Sequence, residues 1–283
     1  MDISLKTMQP YLVLDTEKFH QAVYMQDGIS HFYTFVPTKI DNIIFVPNGC
    51  MDIIFEYSDT EMNAYIQGTM ISGSDIFYCN EKRYFGVRFK NGYLPIFIQA
   101  SVKELIEKKT KLNDIMKEKN YFSVLEDKRD FKSQIENFLF LYYRLYYKKD
   151  LILSKYATVK QCKEMIYLSK GSIKVNEIEE NIGYSARYIN KLFESEIGYS
   201  PKTFCKIVRF QNILFHLIQN PNNKLVEVAM KYGYYDQAQM NKEFKKLANK
   251  TPTEYINLLK ETNYRQRVVD VPIFTRNNDI KLV

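Results

Sequence analysis

The hydrophobic and polar positions of this chain change their spacing at about residue 100. Before that point, short runs alternate apolar and polar residues between Gly, Asn and Pro turn signals, and the clearest runs are 52–57, 75–78 and 85–89. Such alternation is typical of antiparallel strands. The segment from Ile43 to about Phe97 therefore predicts an antiparallel sheet, built as a sandwich or a partial barrel.

After Ser101 the apolar residues recur at helical spacing, and 131–146 has one wide apolar and aromatic face. This helix packs either on its own sheet or on a second copy of the chain. We expect residues 1–150 to form a β-rich domain whose helical part is about 101–149.

The C-terminal half contains an internal repeat. The segment 189–193, Ile-Asn-Lys-Leu-Phe, recurs 51 positions later as 240–244, Met-Asn-Lys-Glu-Phe, and Gly183-Tyr184 returns after 50 positions as Gly233-Tyr234. Each copy has a short helix, a Gly-Tyr turn, a second helix and then a Ser/Thr-Pro helix start. This order predicts an all-α domain with two tandem helix-turn-helix units over about 155–262.

Capping residues locate the second helix of each unit. Ser185 is a predicted N-cap, and Asp236 with Gln239 has the spacing of a capping box. The two helices are therefore expected at about 185–197 and 236–248.

A long helix connects the units. It is expected to start at Ser200-Pro201, an N-cap followed by proline, and to end near Gln219. At about 1.5 Å per residue it is roughly 28 Å long. That length approaches the roughly 34 Å between successive major-groove faces of B-DNA. One chain would then read two grooves on one side of a duplex, with some bending of the DNA.

Helical spacing divides each second helix into an inner and an outer face. In the first unit, Tyr188 falls with Ile189, Leu192 and Phe193 on the predicted core side. Polar residues on the outer faces and in the first turns are of the types that contact base edges and phosphates. The candidate DNA-contacting residues are Ser185, Arg187, Asn190, Lys191, Gln237, Gln239, Asn241, Lys242 and Lys245.

Positive charge is concentrated on the repeat. Residues 1–155 have 20 basic and 20 acidic side chains, whereas 156–265 have 17 and 11, a net charge of +6. This excess favours double-stranded DNA as the partner. The alternative is a helical protein-interaction module, because a solvated helix face also displays Arg, Asn and Lys.

Other chemistry lacks support in the sequence. There is no nucleophile with a neighbouring base, no glycine-rich phosphate loop, no run long enough to span a bilayer and no signal peptide pattern. The cysteines and histidines are scattered, which predicts neither a disulfide framework nor a metal site. These residues are Cys50, Cys79, Cys162, Cys205, His20, His31 and His216. We expect a cytoplasmic protein that is not an enzyme and needs no cofactor.

The C-terminal residues resemble the AraC/XylS family of bacterial transcription regulators. The resemblance covers about 155–260 and depends on an ordered series of motifs: Gly183-Tyr184-Ser185, Leu192-Phe193, Gly198-Tyr199-Ser200-Pro201, Gly233-Tyr234-Tyr235-Asp236-Gln237, Phe244-Lys245 and Thr251-Pro252-x-x-Tyr255. It implies two helix-turn-helix units with the second helix of each in a major groove. It also implies base-facing roles for Arg187, Asn190 and Lys191 in the first unit and for Gln237, Gln239, Asn241 and Lys242 in the second.

Two positions depart from the family pattern. Gln239 stands where the family commonly has His or a small residue, and Asn249 replaces the glycine that matches Gly198. Because Asn tolerates the left-handed conformation, we expect the turn at Asn249 to survive.

The N-terminal region resembles the cupin-like or similar regulatory domains of this family, at 47–55 and 85–89. The resemblance implies that it senses a small-molecule effector or mediates homodimerisation, and that RNA polymerase is a partner if the protein is an activator. No residue is assigned to an effector. Asp52 and Arg88 form either a structural ion pair or part of a ligand pocket. The tail, 263–283, has no assigned role, and its segment 268–271 either docks as a strand or has no ordered structure.

Overall fold

The computed structural model describes residues 7–38, 41–126, 130–146 and 154–273. It confirms the predicted α+β class, with a β-rich N-terminal part, called the sheet domain below, and a helical C-terminal part that is followed by one short strand. The strands are β1 (Phe19–Val23), β2 (Ile29–Phe35), β3 (Asp41–Phe45), β4 (Asp52–Tyr57), β5 (Met62–Gln67), β6 (Ser74–Tyr78), β7 (Arg83–Phe89), β8 (Lys109–Lys111) and β9 (Val268–Asp270).

The helices of the repeat follow the predicted order, whereas β8 lies within the segment 101–149 expected to be helical. The helices are α1 (Pro10–Leu14), α2 (Val102–Leu105), α3 (Phe131–Tyr146), α4 (Ser154–Leu168), α5 (Val175–Ile182), α6 (Ala186–Glu196), α7 (Pro201–Gln219), α8 (Leu225–Lys231), α9 (Gln237–Ala248), α10 (Pro252–Glu261) and α11 (Tyr264–Arg267). Among the described residues, none of these helices combines the length and apolar character needed to cross a membrane.

One seven-stranded sheet organises the N-terminal part. Its strand order is β8-β5-β4-β7-β2-β1-β9, and β3 pairs with β6 in a separate two-stranded sheet. The large sheet begins at β1, earlier than the sequence pattern predicts. Every residue of β2 is buried, so its polar residues do not mark an exposed face and the alternation that identifies half-buried strands is lost.

The two faces of the large sheet support different cores. On β4, Ile53 and Phe55 point into a core with Phe138 and Tyr142 of α3. The neighbouring Ile54 points the other way, into a second core. The apolar face of α3 therefore packs on its own sheet, which was one of the two arrangements open from the sequence.

The second core joins the sheet domain to the C-terminal helices. Residues of α1 and the sheet share it with Phe210 and Leu214 of α7 and with Phe244 of α9. The Tyr11 hydroxyl also donates a hydrogen bond of 2.9 Å to the Ala248 carbonyl at the end of α9. The two halves are thus packed through continuous apolar contact.

The tail returns to the sheet domain, as one of the sequence alternatives proposed. Strand β9 pairs in parallel with β1, and the Val271 amide continues the ladder by donating to the Gln21 carbonyl at 2.7 Å. The Gln21 side-chain amide donates to Asp270 Oδ1 at 2.8 Å. Residues 274–283 of the predicted tail lie outside the described residues.

Asp52 and Arg88 form a buried ion pair on neighbouring strands, where they are register partners. Arg88 Nε and Nη2 donate to the two Asp52 carboxylate oxygens at 2.8 and 2.6 Å, and the side chains are only 1% and 2% exposed. The Tyr33 hydroxyl adds a third bond to Asp52 at 2.7 Å. The geometry is that of a buried, bidentate ion pair whose carboxylate accepts three hydrogen bonds, and Arg88 also lines the cavity described below.

Removing one partner of this pair should be severely destabilising. Asp52→Ala leaves the Arg88 guanidinium buried without its counter-charge, which costs about 3–5 kcal/mol in the free energy of unfolding. The control is Glu227→Ala, which breaks an exposed contact with Lys224 at 3.9 Å and should cost less than about 1 kcal/mol. Urea titration measures both, and similar small losses would contradict the structural role.

His216 lies in a polar niche between α7 and α8. Its ring is 3.0 Å from the Asn223 side-chain amide and 3.4 Å from Lys231 Nζ, and it packs edge-on against Tyr232. Burial lowers the pKa of His216 below its usual 6.5, and the charges of Lys231 and Lys170 lower it further. His216 consequently binds a proton less readily in the folded protein than in the unfolded chain.

A lowered histidine pKa makes stability depend on pH. The unfolded chain binds the proton more readily. The contribution of His216 to the free energy of unfolding is therefore full above a pH of about 6.5 and is lost as the pH falls through the lower pKa of the folded state. We expect His216→Gln to reduce the loss of unfolding free energy between pH 7.5 and 5.5. Urea titrations of both proteins at the two pH values provide the measurement, and equal losses would oppose this account.

Candidate nucleic-acid interface

The first helix-turn-helix unit, residues 174–199, is built from α5 and α6. Helix α5 ends at Gly183, whose φ of 78° is left-handed and suits glycine. The Ser185 side chain then accepts a hydrogen bond from the Tyr188 amide as the N-cap of α6. Both predicted signals are therefore used, and the Ser185 hydroxyl already has a structural role.

Helix α6 presents a mixed outer face. Arg187 and Lys191 are exposed, as predicted, while Ile189 is buried on the opposite side. Asn190 is half-buried, and its side-chain amide donates to the Ala186 carbonyl one turn earlier at 2.8 Å. In this state the Asn190 amide is therefore engaged by its own helix.

The prediction that Tyr188 lies in the core is wrong. Tyr188 is 43% exposed and Tyr184 is 47% exposed, and their ring centroids are 4.8 Å apart. The buried stripe of α6 is narrow, so Tyr188 falls at its edge and packs on the turn residue instead. An exposed aromatic pair thus stands beside Arg187, and helical spacing alone did not identify it.

The second unit, residues 224–250, repeats this architecture with α8 and α9. Gly233 has a φ of 76°, and Asp236 caps α9 by accepting from the Gln239 amide at 2.7 Å. The Gln239 side chain accepts from the Tyr235 amide at 3.0 Å. The reciprocal bond of the predicted capping box thus reaches the residue before the N-cap.

On α9 the inner and outer faces follow the prediction closely. Met240 and Phe244 are buried, whereas Lys242 and Lys245 are exposed. Asn241 is half-buried, and its Oδ1 accepts no hydrogen bond within the described part of the chain although solvent does not reach it.

Two other residues complete the surface near the start of α9. Gln237 is half-buried in its first turn. Tyr235 precedes the N-cap and is 89% exposed. Tyr235 is not among the candidate residues predicted from the sequence, although its place between the Gly-Tyr turn and the N-cap is a signal for it.

The departure from the family pattern at Asn249 is accommodated. Asn249 ends α9 with a φ of 56°, and Gly198 has a φ of 92° at the matching end of α6. Both residues are left-handed, so the expected turn is preserved.

Helix α7 connects the two units and also contacts the sheet domain. It has 19 residues and starts at the predicted Ser200 N-cap. The buried Gln211 side chain accepts from the Met8 amide at 2.7 Å and donates to the Pro47 carbonyl at 2.8 Å. The connecting helix is therefore anchored to the sheet domain near its middle.

The first unit, together with α4 that shares its core, has its own contacts with the sheet domain. Lys163 Nζ and the Tyr167 hydroxyl of α4 donate to the backbone and side-chain oxygens of Asn91 at 2.5 and 3.0 Å. Ile71 and Ile106 of the sheet domain pack into the first unit's core. The core of the first unit is therefore continuous with apolar residues of the sheet domain.

The described residues contain no group of three or more His, Cys, Asp or Glu side chains placed to hold a metal ion. A cavity of about 270 Å³ lies between the sheet domain, the end of α7 and the tail. Its lining includes His31, Arg88, Gln219, Arg265 and Asp270. None of the residues that line it belongs to α6 or α9.

Family models match two parts of the chain. Residues 179–257 match a helix-turn-helix domain, and residues 23–111 match a domain of unknown function, DUF6597. The Msm operon regulatory protein of Streptococcus mutans is 29% identical over 100 residues, which are 35% of this chain and 36% of that protein. The match thus spans about a third of the curated relative.

Two solved structures show similarity to this chain. The C-terminal domain of AraT, a response regulator from Geobacillus stearothermophilus, is 20% identical with a TM-score of 0.33, over 35% of this chain and 84% of that one. ToxT from Vibrio cholerae O395 is 14% identical with a TM-score of 0.44, over 86% of this chain and 98% of that one.

The motif series, the two capped helix-turn-helix units and the family match over 179–257 agree with one another. The AraC/XylS family consists of transcription regulators and not of enzymes. The chain carries the helix-turn-helix domain of this family.

Proposed function

We propose that this protein is a sequence-specific DNA-binding transcription regulator that reads two successive major grooves with α6 and α9. The observation that carries the proposal is the repeated presentation of a capped helix. Ser185 and Asp236 each begin a helix whose outer face is polar and exposed. A recognition helix typically contacts base edges with its N-terminal residues.

The length of α7 supports reading by both units. Its 19 residues give a helix of about 28 Å, close to the roughly 34 Å between major-groove faces one turn apart. A modest bend of the duplex supplies the remaining fit.

The candidate side chains fall into two groups, those that are exposed and those that already form hydrogen bonds within the protein. Arg187, Lys191 and Lys242 are exposed and available for bases or phosphates. Asn190 and Gln239 must exchange intramolecular hydrogen bonds for contacts with a base. We assign base discrimination mainly to Arg187 and Gln237, because Arg pairs with guanine and Gln with adenine in the major groove.

Control by the N-terminal domain is the second part of the proposal. A small-molecule effector or a partner changes how the two units are presented to DNA. The sheet domain also mediates homodimerisation, and RNA polymerase is a partner if the protein is an activator. These events take place in the cytoplasm. The cavity of about 270 Å³ supports effector control because its lining combines His31 and Arg88 of the sheet with Phe215 of α7 and Arg265 of the tail. A ligand shifts the equilibrium only if it binds one arrangement better.

The first experiment is selection of sites by the full-length protein from random duplex DNA at two salt concentrations, followed by sequencing. The proposal predicts an enriched motif with two boxes about one helical turn apart per protomer. Weak, sequence-blind binding that disappears at the higher salt would oppose it and favour the helical protein-interaction module.

Substitution of the base-facing residues should relax specificity. Arg187→Ala and Gln237→Ala are each expected to cost about 1–3 kcal/mol of binding free energy on the selected site, because each removes a base contact. Competition between the selected site and single-base variants measures the loss of discrimination. Lys103→Ala, at an exposed position of the sheet domain, serves as the control, and an equal effect of this variant would contradict the assignment.

A further inference from the structure

The two helix-turn-helix units share a fold but differ in charge. The first unit, 174–199, has three basic and five acidic residues, a net charge of −2. The second unit, 224–250, has six basic and three acidic residues, a net charge of +3. Two modules that met the phosphate backbone in the same manner would be expected to carry similar charge.

Two of the three carboxylates of the second unit accept hydrogen bonds within the unit. Asp236 caps α9, and Glu243 accepts from the Tyr234 hydroxyl at 2.6 Å. Both carboxylates therefore satisfy hydrogen-bond donors of the unit itself. Four exposed lysines surround them on α8 and α9: Lys231, Lys242, Lys245 and Lys246.

The first unit has the opposite surface. Glu177 and Glu180 of α5 and Glu194 of α6 are exposed. The first helix of such a motif crosses the DNA backbone. There α5 brings Glu177 and Glu180, whereas α8 brings one exposed carboxylate, Glu227, together with Lys231. Phosphates repel these carboxylates, and the first unit gains little affinity from charge.

Contacts that depend less on salt are available to the first unit. Tyr184 and Tyr188 form the exposed ring pair described above, and Arg187 lies next to them in the first turn of α6. Tyrosine offers both a hydroxyl for hydrogen bonding and an apolar ring. Such a surface suits close contact with groove edges once the protein is already held on the duplex.

We infer that the second unit is the electrostatic anchor of the protein on DNA, and that the first unit contributes to sequence discrimination but little to phosphate neutralisation. This inference rests on the proposed function. Each phosphate neutralised on B-DNA contributes about 0.9 to the slope of log affinity against log salt concentration. The anchor lysines of α9 should therefore account for a measurable part of that slope.

The test uses the full-length protein and its selected duplex, with affinity measured by fluorescence anisotropy over a series of salt concentrations. Lys242→Ala/Lys245→Ala should reduce the magnitude of the salt slope by about 2. Arg187→Ala/Lys191→Ala should change the slope by less than about 1 and instead reduce discrimination between the selected site and its single-base variants.

A matched control removes two positive charges elsewhere. Lys103→Ala/Lys108→Ala changes two exposed lysines of the sheet domain and should leave the slope unchanged. All six substituted side chains are exposed, and thermal unfolding of each variant checks that the fold is retained.

The salt slopes of the variants separate failure of this inference from failure of the proposed function. Equal slope reductions in the two units, or a larger reduction in the first, would overturn it while the proposed function stands. Failure of the wild-type protein to bind any selected site would overturn the proposed function as well, and the two failures are therefore distinguishable.

Discussion

Burial of α7 against the sheet domain is the interaction on which the rest of the structure depends. Phe210 and Leu214 lie in one core with α1 and the sheet, and Gln211 is buried but fully used in hydrogen bonds to Met8 and Pro47. A helix that only linked two DNA-binding units would need no such face. Because α7 is fixed to the sheet, the separation and orientation of α6 and α9 are set partly by the sheet domain.

This packing gives regulation a physical route. The sheet domain contacts α4, which packs on the first unit, through Asn91. It contacts the second unit through Tyr11, and β9 pairs with β1. An event that favours a different seating of α7 would alter both units together. Coupling of this kind requires an element with two arrangements that both sites bias, and the α7 contact is our candidate for that element.

Sequence patterns predicted the parts whose structure is set locally. The caps at Ser185 and Asp236, the turn at Gly183 and the course of α7 depend on neighbouring residues. Features set by distant contacts were not predictable in the same way. Strand β2 is buried along its whole length, so its alternation is lost, and the docking of β9 depends on an edge that only the folded sheet provides. For the candidate site, periodicity identified the exposed lysines but misplaced Tyr188, and it had no means of detecting that Asn190 bonds to its own helix.

The central claim is that one chain contacts two consecutive major grooves on one side of a duplex. Hydroxyl-radical footprinting of the full-length protein on its selected site tests this most directly. The account predicts two protected patches centred about 10 base pairs apart, both on the same face of the DNA. A single protected patch, or two patches on opposite faces, would contradict it.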